Sequence, residues 1–207
     1  MSSETAKQNI LLKIKKALAT PVPLPFPLAN ANSSLYPAPQ EELAVLFAQA
    51  FTSLQGKFVF CADENELHLQ LQQLIASMQW TKIYCNDSRW SSIYSNTDVL
   101  QSCDASVTGC EYLVARTGTI VMSAAEQSGR TVSVYAPIHI CIAYTSQLLY
   151  DIKDTLETLQ RKYAGSLPSF ITFASGPSRT ADIEKTLVTG VHGPKEVYLF
   201  LVETPLA

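Results

Sequence analysis

Hydrophobic positions along the chain change period several times, and each change marks an element. From about Glu4 to Ala19, Ile10, Ile14 and Leu18 form one stripe with Leu11, while Lys7, Lys13, Lys15 and Lys16 fill the rest. That spacing predicts an amphipathic helix. The stretch TPVPLPFPLANANSSLYPAPQ follows, and six of the chain's eleven prolines lie between Pro21 and Pro39. Proline at this density forbids a helix and favours an extended, polyproline-like strap. Val22, Leu24, Phe26 and Leu28 alternate with proline or alanine, so the strap suits packing against a surface. Residues 1–39 therefore read as an arm, one that could lie on a neighbouring subunit of a homo-oligomer, and residues 40–207 as the main domain.

From Gln40 the pattern is regular. Leu43, Leu46, Phe47, Ala50, Phe51 and Leu54 trace a helical face that Gly56 is placed to end. KFVFCA reads as a strand, Asp63 with Glu66 as a capping-box-like helix start, and TKIYC as a second strand. Asn86 to Thr108 is polar and irregular. EYLVARTGTIVMSA holds two β-rich runs around Thr117-Gly118-Thr119, the mark of a bulge or turn. TVSVYAP and HICIAYT come next, the second reading as a buried strand. A helix is expected from Gln147 to Tyr163, a strand in SFITFA, a helix from Thr180 to Thr189 closed by Gly190, and a last strand in EVYLFLV. Strands alternating with helices of this length predict an α/β fold with a mostly parallel sheet covered by helices on both faces. The β-rich middle third leaves room for a mixed sheet.

Two loops are suited to chemistry. GPSRTAD follows the strand FITFA, and ligands of open α/β sheets sit where strands lead into helix starts. There Gly176 permits close approach and Pro177 stiffens the entry. Ser178 and Thr180 bring hydroxyls, and Arg179 offers a planar fork for carboxylate or phosphate. The same residues could instead cap a helix. The second loop, Arg116, Thr117, Gly118 and Thr119, is equally at home binding an anion or forming a β-bulge. His192 and Gly193 sit in a short fixed loop before the final strand. His139 fits a core histidine better than an acid–base group, Arg130 a turn residue better than one facing the same cleft, and Glu111 and Glu126 flank the Thr-Gly-Thr region as candidate bases. Neither a Walker loop nor a Gly-x-Gly-x-x-Gly fingerprint is present, and no Ser-His-Asp order forces a catalytic assignment. Whether the chain is an enzyme stays open at this stage.

Composition narrows the classes. With 207 residues and 47% hydrophobic content the chain can bury a full core. A net charge of −3 with both signs mixed argues against nucleic acid. The five cysteines, at 61, 85, 103, 110 and 141, include no Cys-x-x-Cys spacing. No metal site and no iron–sulfur ligand set is therefore expected in this chain. Reduced thiols, no leader-like opening and no long apolar run predict a cytoplasmic protein without a membrane span.

SGPSRTADIEKTLVTGVHGPKEVYLFLV closely resembles the C-terminal signature of the LUD-domain family, lactate utilisation protein C type. VTGCEYLVARTGTIV and SGRTVSVYAPIHICIAY resemble the same family, in the same order. The resemblance implies a fold like that of the NagB, ribose-5-phosphate isomerase and CoA-transferase superfamily. It also implies a role in bacterial L-lactate utilisation, beside iron–sulfur partner proteins that oxidise lactate to pyruvate, with this chain as a subunit that holds no cluster or other cofactor. Family members often carry glutamate before Thr-Gly-Thr, where this chain has Arg116. At ~4 Å and an effective dielectric near 20, a charge–charge interaction amounts to about 4 kcal/mol, enough to change the preferred ligand. The exchange speaks against covalent acyl transfer and for a small anion held between Arg116 and Arg179. The alternative is an autonomous enzyme or binding protein for a phosphorylated, folate-like or acyl-CoA molecule.

Overall fold

The computed structural model describes residues 3–19, 36–183 and 186–203. The strap expected between Pro21 and Pro39 lies outside the described residues as far as residue 35. The chain divides into two compact units, Met1–Ala38 and Pro39–Ala207. The first contributes α1 (Ser3–Leu18), with Lys15 and Lys16 in its last turn, where cations complement the helix dipole.

In the second unit the elements run α2 (Leu43–Ser53), β1 (Lys57–Cys61), α3 (Glu64–Ser77), β2 (Ile83–Tyr84), α4 (Ser91–Tyr94), β3 (Ala105–Thr108), β4 (Tyr112–Val114), β5 (Thr119–Ser123) and α5 (Val132–Tyr135). They continue with β6 (Ile138–Tyr144), β7 (Leu148–Leu149), α6 (Ile152–Lys162), β8 (Ile171–Ala174), β9 (Arg179–Ile183), β10 (Thr186–Thr189) and β11 (Glu196–Val202). The caps follow from local chemistry. Asp63 accepts from the Glu66 backbone at 2.8 Å and the Glu66 carboxylate accepts from the Ala62 backbone at 2.8 Å, a reciprocal start for α3.

A five-stranded sheet in the order β1-β11-β6-β3-β2 is parallel throughout. Buried on both faces, β6 and β11 are near-continuous apolar runs, as parallel strands must be. Leu67 and Leu71 of α3, with Trp90 and Tyr94, cover Val107, Ile140, Ile142 and Phe200 on one face. The other face is covered by Phe47 and Phe51 of α2 and by a second, mixed sheet, β7-β4-β5-β8, through Leu113, Ile120 and Met122. Leu159 of α6 closes the far side of that second sheet on Val114 and Val121. Helices thus flank the whole stack, and the mixed pairing belongs to the second sheet alone. Among the described residues no helix is long and apolar enough to cross a membrane.

One expectation is overturned. The described residues of the stretch expected to be a helix from Thr180 to Thr189 form instead the antiparallel pair β9–β10, with Thr189 opposite Arg179, Val188 opposite Thr180 and a register shift between Thr186 and Val188. Five of its ten residues are Thr, Ile or Val, whose branched Cβ favours extended backbone, and that preference outweighs the helix-like spacing. TVSVYAP contributes the single helical turn of α5, and the helix expected from Gln147 starts later, at Ile152, capped by Asp151.

Candidate functional site

The two candidate loops come together, but on the C-terminal end of α2. Gly118 has φ +57°, and a Cβ there would lie 2.7 Å from the Ala50 carbonyl carbon and nearer still to the Phe51 nitrogen. A Cβ at Gly176, φ +80°, would lie 2.6 Å from the Leu54 carbonyl oxygen. Both glycines therefore let backbone touch backbone. Arg179 Nη2 donates to the Leu54 carbonyl at 3.3 Å, complementing the negative end of the helix. Arg116 instead pairs with Asp151 at 2.8 Å, and that guanidinium bond holds the Asp151 carboxyl below its ordinary range. The two arginines are thus committed to different partners, and Thr180 lies in the β9–β10 pair. With β9 in place of a helix, GPSRTAD has no helix start to offer an anion.

The remaining predicted residues do converge. Gly176, Pro177, Ser178, His192 and Gly193 line one cavity of about 230 Å³ between the two sheets. Met122 of β5, Thr172 and Ala174 of β8, Ser133 of α5, and His139 and Val197 of the parallel sheet complete its wall. Hydrogen bonds fix that wall. Ser178 N donates to Pro194 O at 2.9 Å, Gly190 N to Ser178 O at 3.0 Å and Lys195 N to Pro137 O at 2.8 Å, joining the β8–β9, β10–β11 and α5–β6 connections. Ser106 Oγ donates to the Val132 carbonyl at 2.9 Å and so anchors α5, which carries Ser133. Thr119 reaches the same wall at one remove, its hydroxyl 2.7 Å from both Thr117 and Ser175. A wider depression of about 560 Å³, with Tyr135 and Lys195 in its wall, adjoins the cavity through Val134, His192 and Gly193.

His139 lines this cavity, although its strand position favoured a core histidine over an acid–base group. It is 1% exposed, its Nε2 lies 2.8 Å from Thr108 Oγ1, and burial pushes its pKa down to about 4. The imidazole is neutral at ordinary pH. The signal available in the sequence was a polar side chain on each of two buried strands, Thr108 and His139, where apolar residues are the rule.

A second polar cluster sits beyond the carboxyl end of β3. Glu111, 2% exposed, accepts from Ser123 and Tyr163 hydroxyls at 2.5 Å each and from Lys162 Nζ at 2.6 Å. Burial pushes its carboxyl up, but those three donors outweigh burial and hold it below the ordinary value. Glu126 is the opposite case. Burial, reinforced by the Glu111 charge, raises it from 4.5 to about 7, and its Oε2 finds no hydrogen-bond partner among the described residues. The folded chain therefore keeps a proton that the unfolded chain releases above 4.5. The associated stability is complete below that pH and is lost as pH rises through 7. Glu126→Gln, neutral at every pH, is expected to be more stable than the parent by about 2–3 kcal/mol near pH 8 and indistinguishable near pH 4. Urea unfolding at both pH values checks this, and equal stability near pH 8 would contradict it.

Residues 55–202 match the LUD domain family. An uncharacterized protein of Neisseria meningitidis is 31% identical over 106 residues, 51% of this chain and 45% of that protein. Lactate utilization protein C of Halalkalibacterium halodurans is 38% identical over 105 residues, 50% of this chain and 46% of that protein. These matches thus span about half the length of either relative. Lactate utilization protein C of Exiguobacterium is 30% identical over 223 aligned positions, covering 96% of both chains. The crystal structure of a DUF162 family protein from Deinococcus radiodurans superposes with a TM-score of 0.60 at 17% identity, over 80% of this chain and 99% of that one. That likeness establishes the fold.

Proposed function

The chain belongs to the LUD domain family, and from that premise we propose that it serves bacterial L-lactate utilisation as a cytoplasmic, cluster-free component. It works beside iron–sulfur partner proteins that carry the electrons released when lactate becomes pyruvate. The observation that carries this reading is the alignment with Lactate utilization protein C of Exiguobacterium, which runs over nearly the whole of both chains. In this reading the cavity between the sheets holds a small molecule of the pathway. Its wall consists of hydroxyls, imidazoles and apolar side chains, an assortment suited to binding a ligand rather than to moving electrons. The Arg116–Asp151 pair and the packing of Gly118 and Gly176 on α2 make the two arginine loops structural supports of that wall.

The test is recovery of the tagged chain, under anaerobic conditions, from the organism that encodes it. The expected result is co-recovery of iron-containing proteins together with lactate-dependent reduction of a dye. Recovery of the chain alone, with full lactate-oxidising activity of its own, would overturn the reading.

A further inference from the structure

We propose that β1 is a docking edge for a second copy of this chain. Two β1 strands pair antiparallel about a twofold axis at Val59 and join their two parallel sheets into one. The inference goes beyond the functional reading above and does not depend on it.

β1 ends the five-stranded sheet, and among the described residues its one strand neighbour is β11. Glu203 N donates to Cys61 O at 2.9 Å, so Cys61 turns its backbone groups toward β11. Backbone direction alternates along a strand as side chains do. Val59 and Lys57 therefore turn the same way as Cys61, and Phe58 and Phe60 present their N–H and C=O groups outward. The opposite end of the sheet is closed. There Ile83 N donates to Asn96 Oδ1 at 2.7 Å and Asn96 N to Ile83 O at 3.0 Å, which occupies the outer edge of β2. Open edges are ordinarily blunted by proline, a bulge or an inward charge. β1 keeps an unbroken register over Lys57–Cys61, contains no proline and carries its one charge at its first residue. Phe60 on this edge is 44% exposed.

A second copy is the occupant because the edge is complementary to itself. With the axis at Val59, Phe58 of each copy lies opposite Phe60 of the other, and both residues carry the outward groups. Each such pair exchanges two N–H···O bonds, as a hydrogen-bonded antiparallel pair does. The side chains agree. Phe58 packs on Phe47 of α2 with ring centroids 6.2 Å apart, and Phe47 stacks on Phe51 at 5.4 Å. Phe60, two residues on, stands on the same face of the strand as Phe58. Opposite Phe58 of the second copy, its exposed ring continues that aromatic layer across the axis. The charges agree as well. Asp63 still has extended backbone, φ −156° and ψ 179°, and each Lys57 lies diagonal to Asp63 of the other copy. The two Lys57 residues stand at opposite ends of the contact and do not oppose one another.

Sedimentation velocity of the full chain across the micromolar range tests this. The expected result is the mass of two chains at the upper end and of one chain on dilution. Phe60→Pro removes an outward N–H and no bond to β11, so the sheet stays intact while the dimer dissociation constant rises at least about tenfold. Should that variant fail to fold, Phe60→Lys places a charge at the same exposed position and is expected to weaken the dimer by at least as much. Val59→Cys reads the register. The two residues 59 form a non-hydrogen-bonded pair with Cα atoms about 4.5 Å apart, inside the range of about 4.4–6.8 Å that a disulfide spans. Mild oxidation with diamide should therefore link the two copies, and adding Phe60→Pro should remove most of that link. A chain that stays single throughout the range, a dimer equally tight in both Phe60 variants, or a dimer whose Val59→Cys copies do not cross-link would each overturn the proposal.

Discussion

Gly118→Val is expected to lose about 3–5 kcal/mol of stability and to unfold at markedly lower urea concentration. Two costs combine. Residue 118 sits at φ +57°, where an L side chain costs roughly 1–2 kcal/mol and a β-branched one more. The added Cβ then meets the backbone of Ala50 and Phe51, not a movable side-chain end, so relief requires α2 to shift off the β4–β5 hairpin. Phe47 and Phe51 are fully buried beneath it, and overpacking such a core costs about 1–3 kcal/mol. Gly118→Ala avoids branching and should cost less, in the same direction. An unchanged urea midpoint for Gly118→Val would mean that α2 does not rest on this hairpin and would reopen the Thr-Gly-Thr loop as a ligand site.

Lys162→Met is expected to cost about 3 kcal/mol near pH 7. The Glu111 side chain has no exposure, and its Oε2 accepts from Lys162 Nζ at 2.6 Å. Removing the ammonium leaves a buried carboxylate with two hydroxyl donors and no counter-charge, next to Glu126. Breaking a buried pair from one side typically costs about 3–5 kcal/mol. The low end applies because the Lys162 side chain is 47% exposed and its charge is partly screened by water. The pH dependence has a definite sign. In the parent, Glu111 is held below its ordinary value, so its contribution is present above that value and is lost as pH falls through the depressed one. The penalty of Lys162→Met should therefore shrink as acid protonates Glu111 in the variant. A penalty that is constant with pH, measured by urea unfolding, would show that Lys162 acts through its packing over Tyr112 and Tyr163 and not through its charge.

Much of the fold was legible because the sequence writes it locally. Leu67, Leu71 and the Asp63–Glu66 cap spell out α3, and HICIAY and EVYLFLV have the unbroken apolar runs of strands buried on both faces. What the pattern did not give was the stacking of a second sheet on the first. Cys141 and Leu199 face Leu113 and Ile120 across a gap in sequence that no local period encodes. The Thr180–Thr189 segment misled because its spacing suits a helix while its residues prefer a strand.

The site was half legible for a related reason. Gly176, Pro177, Ser178, His192 and Gly193 were identified as special by their local chemistry and do share a cavity. Arg116 and Arg179 looked like anion ligands by type, yet type says nothing about partners contributed by Asp151 and Leu54 from distant elements. His139 looked like core because it lies in an apolar strand, and only the fold places it against a cavity.

The most direct test of the functional account is lactate-dependent dye reduction by the anaerobically isolated assembly, measured before depletion of this chain, after depletion, and after adding it back. The account predicts that reduction falls on depletion and returns with the purified chain. Undiminished lactate oxidation by the partners in its absence would contradict it.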